Sequence, residues 1–205
     1  MREQEIKNYK VLNKLAEQNG IVIFGEKEDV SIPLCELRQA FGIKENCYNR
    51  SFENLTISEA CDIYADCVAD LSSETILLHI EDEKSFKTSA DKCTADYRKL
   101  ISQIRKNNKK CRIGIVSAKN YDSNSEIAEL NKQLKYIADS EKCEFCDISE
   151  KRVWNPQQTK DIVSFVYNIG FVHPLKNKRP LNDLVRLLFC VNDYKSKYKL
   201  NFYVM

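Results

Sequence analysis

Two short segments, far apart in the chain, carry side chains that could do acid–base chemistry at one site. The apolar run 21–24 ends in Gly25-Glu26-Lys27, and Phe171-Val172-His173-Pro174 follows near the other end of the chain. Acyl transfer needs a nucleophile that a neighbouring base deprotonates, and histidine serves most often as that base. The two segments therefore define a candidate site if the fold brings the turn after residue 24 close to His173.

The spacing of apolar residues predicts strands that alternate with helices. Short apolar runs between turn signals predict five strands, at 21–24, 46–49, 75–80, 111–117 and 143–148. Apolar residues at helical spacing predict helices at 2–19, 30–41, 57–70, 90–107, 123–140, 157–168 and 180–191. Such alternation indicates βαβ units and a parallel sheet. We therefore predict a flavodoxin-like α/β fold, a three-layer αβα sandwich with strand order 2-1-3-4-5, whose ligand site lies outside the carboxyl ends of the strands.

For three of the helices the sequence also predicts buried residues or an N-terminal cap. The first and second should bury the apolar residues that recur at helical spacing, namely Ile6, Tyr9, Leu12, Leu15, Leu34, Leu37 and Phe41. Thr56 should cap the third helix, because Glu59 follows three positions later and completes a capping box.

The chain is long enough for one α/β domain with a full core. We predict a single domain over 1–205, with an N-terminal helix (1–20), a core (21–192) and a C-terminal tail (193–205). The formal net charge is +2, from 32 basic and 30 acidic residues, so a nucleic-acid partner is not expected. No apolar run approaches the ~20 residues that span a bilayer, so membrane association is not expected either.

The C-terminal tail alternates basic residues with apolar and aromatic ones from Tyr194 to Met205. Such a pattern could suit nucleic acid, or the segment could add an edge strand or dock on a partner. Because the overall charge is nearly balanced, we favour docking on the chain's own domain or on a second subunit, which would form an oligomer through the tail.

Cysteines are numerous, and nothing in their spacing requires a disulfide or a metal. The count of nine is odd, and the chain is charged from its second residue, unlike a secretory leader. We therefore expect free thiols in a reducing cytoplasm. Cys143 and Cys146 have zinc-motif spacing, but zinc needs a second ligand pair, and strand positions three apart point to opposite faces. We predict no metal or other cofactor, and we predict that His79 is a hydrogen-bonded core histidine.

Four short blocks over residues 21–190 resemble the SGNH (GDSL-type) hydrolases. The Gly-Asp-Ser of that family corresponds to Gly25-Glu26-Lys27, and its Asn-Arg-Gly-x-x-Gly-Asp-Thr-like stretch corresponds to 49–56, with the oxyanion-hole glycine at Asn54. Its Gly-x-Asn-Asp corresponds to 81–84, with the oxyanion asparagine at Glu83. Its Asp-x-x-His-Pro corresponds to 170–174, where only the histidine and the proline remain. The resemblance implies the SGNH-hydrolase fold, with position 27 as the nucleophile and His173 as its base.

The departures from the family pattern predict that the esterase chemistry is lost. Lys27 is an ammonium at neutral pH, and the acidic residues beside it, Glu26, Glu28 and Asp29, should keep it charged. A carboxylate at Glu83 would repel the oxyanion that the family stabilises there. Gly170 stands where the family has the aspartate that orients the histidine. We therefore predict an SGNH-like module that binds a small molecule or a protein.

The alternative is an acylhydrolase or carbohydrate esterase with a relocated nucleophile. Ser31 or Cys35 on the following helix could face the crevice, with His173 as base. The competing interpretation is that Ser31 caps this helix and that Cys35 packs inward. Ser117, at the end of the fourth strand, also points toward this edge, where a serine commonly shapes a loop.

Most of the other residues predicted at the carboxyl edge of the sheet are charged. The predicted pocket positions are Gly25, Glu26, Ser31, Glu81 and Asp82. Clustered carboxylates could hold a hard cation or a polar ligand. We favour a solvated rim in which Lys27 pairs with Glu83 or Asp82 and fills the former active site. Because strands 1 and 3 are neighbours in the proposed order, the Lys27 amine should lie within ion-pair reach of Glu81, Asp82 or Glu83.

Overall fold

The sheet has five parallel strands in the order β2-β1-β3-β4-β5, as the sequence predicts. The structure is a computed structural model, which describes residues 2–40, 43–120 and 122–149 together with Leu181, Val185, Leu188 and Phe189. The strands are β1 (Ile21–Gly25), β2 (Cys47–Asn49), β3 (Thr75–His79), β4 (Arg112–Val116) and β5 (Glu144–Cys146). Every residue of β1 and β3 is buried, because helices cover both faces of these central strands.

Six α-helices surround the sheet in the described part of the chain. They are α1 (Arg2–Leu15), α2 (Leu34–Ala40), α3 (Ile57–Cys67), α4 (Glu83–Thr88), α5 (Ala90–Asn107) and α6 (Ser125–Ser140), with 3₁₀ helices at Lys27–Ser31 and Ala69–Leu71. One apolar core joins the sheet to α3, α5 and α6. A second core, on the other face, joins it to α2 and to Leu181, Val185, Leu188 and Phe189. The result is the predicted three-layer sandwich.

The capping box predicted for α3 is confirmed. The Thr56 hydroxyl accepts a hydrogen bond from the Glu59 backbone N–H, and the Glu59 carboxylate accepts one from the Thr56 backbone N–H. The two side chains thereby satisfy donors that the first turn of a helix leaves without partners.

The buried face of α1 differs from the prediction. Ile6 and Tyr9 pack against the core as expected, but Leu12 and Leu15 are 48% and 80% exposed. Asn13 occupies the buried position instead and donates to the Cys67 carbonyl at 2.9 Å. The prediction was wrong because it followed apolar side chains, whereas this turn of the helix is held by a buried polar contact.

The segment predicted as one helix at 30–41 is divided. The 3₁₀ helix ends at Ser31, and α2 begins only at Leu34, after Pro33. Ser31 is therefore not the N-cap of α2, and Cys35 is exposed rather than packed inward. Leu34 and Leu37 are buried as predicted, and Phe41 lies outside the described residues.

The remaining predicted elements agree with the structure to within a few residues, where they fall in its described part. Helix α6 begins at Ser125 rather than 123, and β5 begins at Glu144 rather than 143. The four described residues between 181 and 189 are helical, in agreement with the predicted helix at 180–191. The predicted helix at 157–168 and the tail 193–205 lie outside the described residues. None of the described helices has the length and apolar character required to cross a bilayer.

Candidate functional site

The candidate site lies at the carboxyl edge of β1 and β3, where the strand order reverses. The two strands run in register, with Gly25 opposite His79, so the turns that follow them lie side by side. The 3₁₀ helix after β1 carries Lys27 and Asp29, and the turn after β3 carries Glu81. In open α/β sheets this point, outside the strand ends, is where ligands bind.

Lys27 forms an ion pair with Glu81, with Nζ to Oε2 at 2.5 Å. This confirms the prediction that the lysine amine reaches a carboxylate at the end of strand 3, although Glu83 and Asp82 were the favoured partners. The Lys27 side chain is 48% exposed, and that of Glu81 is 15% exposed. Burial lowers the pKa of Lys27, but the hydrogen bond and the charge of Glu81 outweigh it, so the pKa is raised and the ammonium form is favoured.

Glu26 is a buried carboxyl group that fastens the two strand ends together. Its Oε1 accepts hydrogen bonds from the backbone N–H groups of Glu81 at 2.6 Å and Asp82 at 3.0 Å. Burial raises its pKa, and this effect exceeds the opposing effects of the backbone donors and of Lys27. Glu26 therefore acts as a link between turns and is only 5% exposed.

His79 and Asp29 form a second buried contact, which the sequence did not indicate. His79 Nδ1 lies 2.8 Å from Asp29 Oδ2, with both side chains almost fully buried. Asp29 reaches the imidazole by folding back over Gly25, where an added Cβ would lie 2.1 Å from Asp29 Oδ2. His79 is thus a hydrogen-bonded core histidine, as predicted, and the glycine that precedes Glu26 leaves the space for its partner.

Asp82 and Glu83 begin α4 and shape the turn after β3. Asp82 has a left-handed backbone (φ 42°), and its carboxylate accepts from the N–H groups of Ser85 and Ile57, so it caps α4 and also meets the start of α3. Glu83 is the first residue of α4, and its charge contributes to the raised pKa of Lys27. Negative charge therefore surrounds the lysine on more than one side.

Asn54 lies in the loop that follows β2. This loop continues alongside β1, since the Phe52 N–H donates to the Gly25 carbonyl at 3.0 Å. Asn54 is exposed and has a left-handed backbone (φ 52°), a conformation that glycine adopts freely and asparagine tolerates. Arg2 of α1 donates to the Asn54 carbonyl and to that of Glu53, so the N-terminal helix holds the loop.

The two serines considered as relocated nucleophiles differ in their surroundings. Ser31 is exposed at the end of the 3₁₀ helix. Ser117 is fully buried at the end of β4, where its hydroxyl donates to Asp147 Oδ1 at 3.2 Å and accepts from the Ile148 N–H at 2.8 Å. Ser117 therefore shapes the loop after β5, whereas Ser31 can reach solvent.

The base of the predicted triad is not part of the described structure. His173, Pro174 and Gly170 lie outside the described residues. Within the described residues, no group of three or more His, Cys, Asp or Glu is placed to hold a metal ion. Among the described residues, the side chains at this edge that could take part in chemistry are Lys27, the carboxyl groups beside it and His79.

Several solved structures with the same fold are described as lipases, acylhydrolases or esterases. A protein from Streptococcus pneumonia, described provisionally as a platelet activating factor, is 14% identical with a TM-score of 0.64, over 94% of this chain and 91% of that one. A GDSL-like lipase from Bacteroides thetaiotaomicron is 16% identical with a TM-score of 0.55, over 69% of this chain and 77% of that one. An acetyl xylan esterase is 18% identical with a TM-score of 0.53, over 73% and 81%.

No protein-family model and no curated protein sequence matches the chain. The structural likeness nevertheless extends over most of the chain and of its neighbours. The chain has the fold of the SGNH/GDSL hydrolases, and the resemblance seen in the four sequence blocks is confirmed at the level of that fold.

Proposed function

We propose that this chain is a catalytically degenerate SGNH-like protein, which has lost serine-esterase activity and acts in the cytoplasm as a binding or scaffolding module for a small molecule or a protein. The observation that carries the proposal is the ion pair between Lys27 and Glu81. The sequence resemblance assigns the family's nucleophile to position 27. A charged ammonium has no lone pair with which to attack a carbonyl carbon.

The electrostatics around Lys27 support the same proposal. Glu81 and Glu83 both raise the pKa of Lys27, so the free amine is disfavoured. A carboxylate at Glu83, the proposed oxyanion position, would also repel the negative charge that develops in acyl transfer. Losing even one oxyanion donor typically slows such reactions about 10²–10³-fold.

A second candidate is an acylhydrolase or carbohydrate esterase in which Ser31 is the nucleophile and His173 the base. The exposure of Ser31 at the end of the 3₁₀ helix favours it, as do the neighbours described as a GDSL-like lipase and an acetyl xylan esterase. Under this proposal Lys27 and Glu81 would form one wall of the substrate cleft.

Labelling with a serine-reactive fluorophosphonate separates the two proposals. We expect no stoichiometric labelling of the wild-type protein and no difference between wild type and Ser31→Ala. Ser140→Ala is the matched control, because Ser140 is an exposed serine at the far end of α6. Stoichiometric labelling that Ser31→Ala abolishes and Ser140→Ala preserves would replace the first proposal with the second.

A further inference from the structure

One short segment is attached to β3 at two points. Lys27 and Asp29 both belong to the 3₁₀ helix Lys27–Ser31, and each binds a side chain at the end of β3. Lys27 pairs with Glu81, and Asp29 accepts a hydrogen bond from His79. The imidazole of His79 lies between the two carboxylates, with Nε2 3.6 Å from Glu81 Oε1.

The Nε2 atom of His79 is buried and has no hydrogen-bond partner. Whether its contact with Glu81 is attractive or repulsive therefore depends on the protonation of the imidazole. As an imidazolium, His79 donates from Nδ1 to Asp29 and presents an N–H at Nε2 to a carboxylate, so charges alternate along Lys27, Glu81, His79 and Asp29. As a neutral ring that still donates to Asp29, His79 presents a lone pair to the Glu81 carboxylate, and the contact becomes repulsive.

We propose that His79 is a proton-dependent latch, which holds the 3₁₀ helix at 27–31 closed against the end of β3 when its ring is protonated and loosens it when the ring is neutral. The proposal concerns the conformation of the turn at the former nucleophile position. It holds whether or not any hydrolysis survives there.

The groups that face His79 set the direction of the effect. Burial lowers its pKa, but the charge and hydrogen bond of Asp29 and the charge of Glu81 outweigh both burial and the opposing charge of Lys119, which follows β4. Phe189, from the layer that also contains α2, meets the ring edge-to-face at 5.0 Å and carries no charge. The pKa of His79 is therefore raised above its ordinary value of 6.5. The latch is closed below that value and opens as the pH rises through the raised pKa.

Hydrogen–deuterium exchange of the backbone amides at 26–33 tests the latch. After correction for intrinsic exchange, protection in the wild type should fall about tenfold between about pH 6 and about pH 9, which corresponds to the loss of a local interaction worth about 1.4 kcal/mol. Glu81→Gln removes the repelling carboxylate, so the fall should be smaller than in the wild type, and Asp29, whose effect on the imidazole exceeds that of Glu81, should account for the part that remains. Glu83→Gln is the matched control, because it removes a neighbouring carboxylate that does not face the imidazole, and it should keep the wild-type fall.

The titration of the imidazole gives a second readout. The chain has two histidines, so a His173→Gln variant shows a single imidazole titration by NMR, which belongs to His79. Its midpoint should lie above 6.5 and should drop in Asp29→Asn. A midpoint at or below 6.5, amide protection that does not change with pH, or an unchanged fall in Glu81→Gln would each overturn the proposal.

Discussion

Lys27, the residue that the sequence resemblance places at the nucleophile position of the SGNH hydrolases, is held as a charged side chain by its ion pair with Glu81. Its backbone is left-handed (φ 51°), which costs a lysine about 1 kcal/mol relative to a right-handed residue. The ion pair with Glu81 and the attachment of Asp29 two residues later hold the turn in that shape. Lys27 therefore contributes a charged, ion-paired side chain to this turn.

The sequence predicts contacts within the site where it places opposite charges at the ends of adjacent strands. This placement was sufficient to predict that Lys27 pairs with a carboxylate at the end of strand 3. It could not select Glu81 over Asp82 and Glu83, because the choice depends on the backbone of the turn, where Asp82 is left-handed and caps α4. The His79–Asp29 contact was missed because it requires the space above Gly25, which no pattern of charge or hydropathy shows.

Glu26 offers the first test at this scale. Glu26→Ala should lower the free energy of unfolding by about 2 kcal/mol, because two backbone N–H groups lose their acceptor. Glu26→Gln keeps an acceptor oxygen and should cost less than about 1 kcal/mol at neutral pH. Chemical denaturation of the three proteins measures both values.

The raised pKa of Glu26 also predicts how the stability of the protein changes with pH. A carboxyl group with a raised pKa contributes stability below its ordinary value of 4.5, and that contribution is lost as the pH rises through the pKa in the fold. Wild type should therefore lose stability relative to Glu26→Gln as the pH rises from 4.5. If the difference in the free energy of unfolding between wild type and Glu26→Gln stayed constant above pH 4.5, the pKa of Glu26 would not be raised.

Helix α1 is the element whose role differs most from its sequence pattern. Its inner face carries a polar network, in which the Asn13 side-chain oxygen accepts two hydrogen bonds from the buried guanidinium of Arg50, at 2.9 and 2.8 Å. The rings of Tyr9 and Tyr48 lie 5.0 and 5.6 Å from that guanidinium. Periodicity predicted the existence and the start of the helix, which ends at Leu15 rather than 19. The rotation about its axis is set by Asn13 and Arg50, which hydropathy ranks as outward-facing.

A matched pair of asparagine substitutions tests this account of α1. Asn13→Ala removes the acceptor of two of the hydrogen bonds from the buried Arg50 guanidinium, which keeps its bond to the Asn49 carbonyl, and should lower the free energy of unfolding by about 3 kcal/mol. Asn8→Ala changes an exposed residue on the same helix and should cost less than about 0.5 kcal/mol. Equal, small effects of the two substitutions would mean that apolar contacts alone orient the helix.

At the scale of the whole molecule, sequence pattern and structure agree closely. The strand order, the parallel pairing and the two apolar faces follow from alternation of strands with helices, because few topologies satisfy right-handed crossovers. The segment after residue 149 carries His173 and the tail, and their predicted roles remain predictions. No disulfide joins two of the eight described cysteines, and Cys190 is outside the described residues.

Thiol titration tests the chemistry of the whole chain. All nine cysteines should react after unfolding without reductant, as the proposed cytoplasmic location implies. Burial raises the pKa of Cys67 and Cys146 to about 12, so in the folded protein these two should react far more slowly than the exposed Cys35. Recovery of fewer than nine thiols from the unfolded chain would show that disulfides form.

The most direct test of lost esterase activity is the turnover of p-nitrophenyl acetate by wild type, Lys27→Ala and Lys27→Ser. We expect no enzymatic turnover in the wild type, no change in Lys27→Ala and no gain in Lys27→Ser. Under the proposed correspondence with the SGNH blocks, a serine at position 27 would face Glu83, and His173 would have no aspartate at position 170 to orient it. Lys27→Ala should alter only stability, through the unpaired Glu81. A wild-type turnover above ~1 s⁻¹, the low end of ordinary enzymes, that is lost in Lys27→Ala would contradict the account and make Lys27 a catalytic residue.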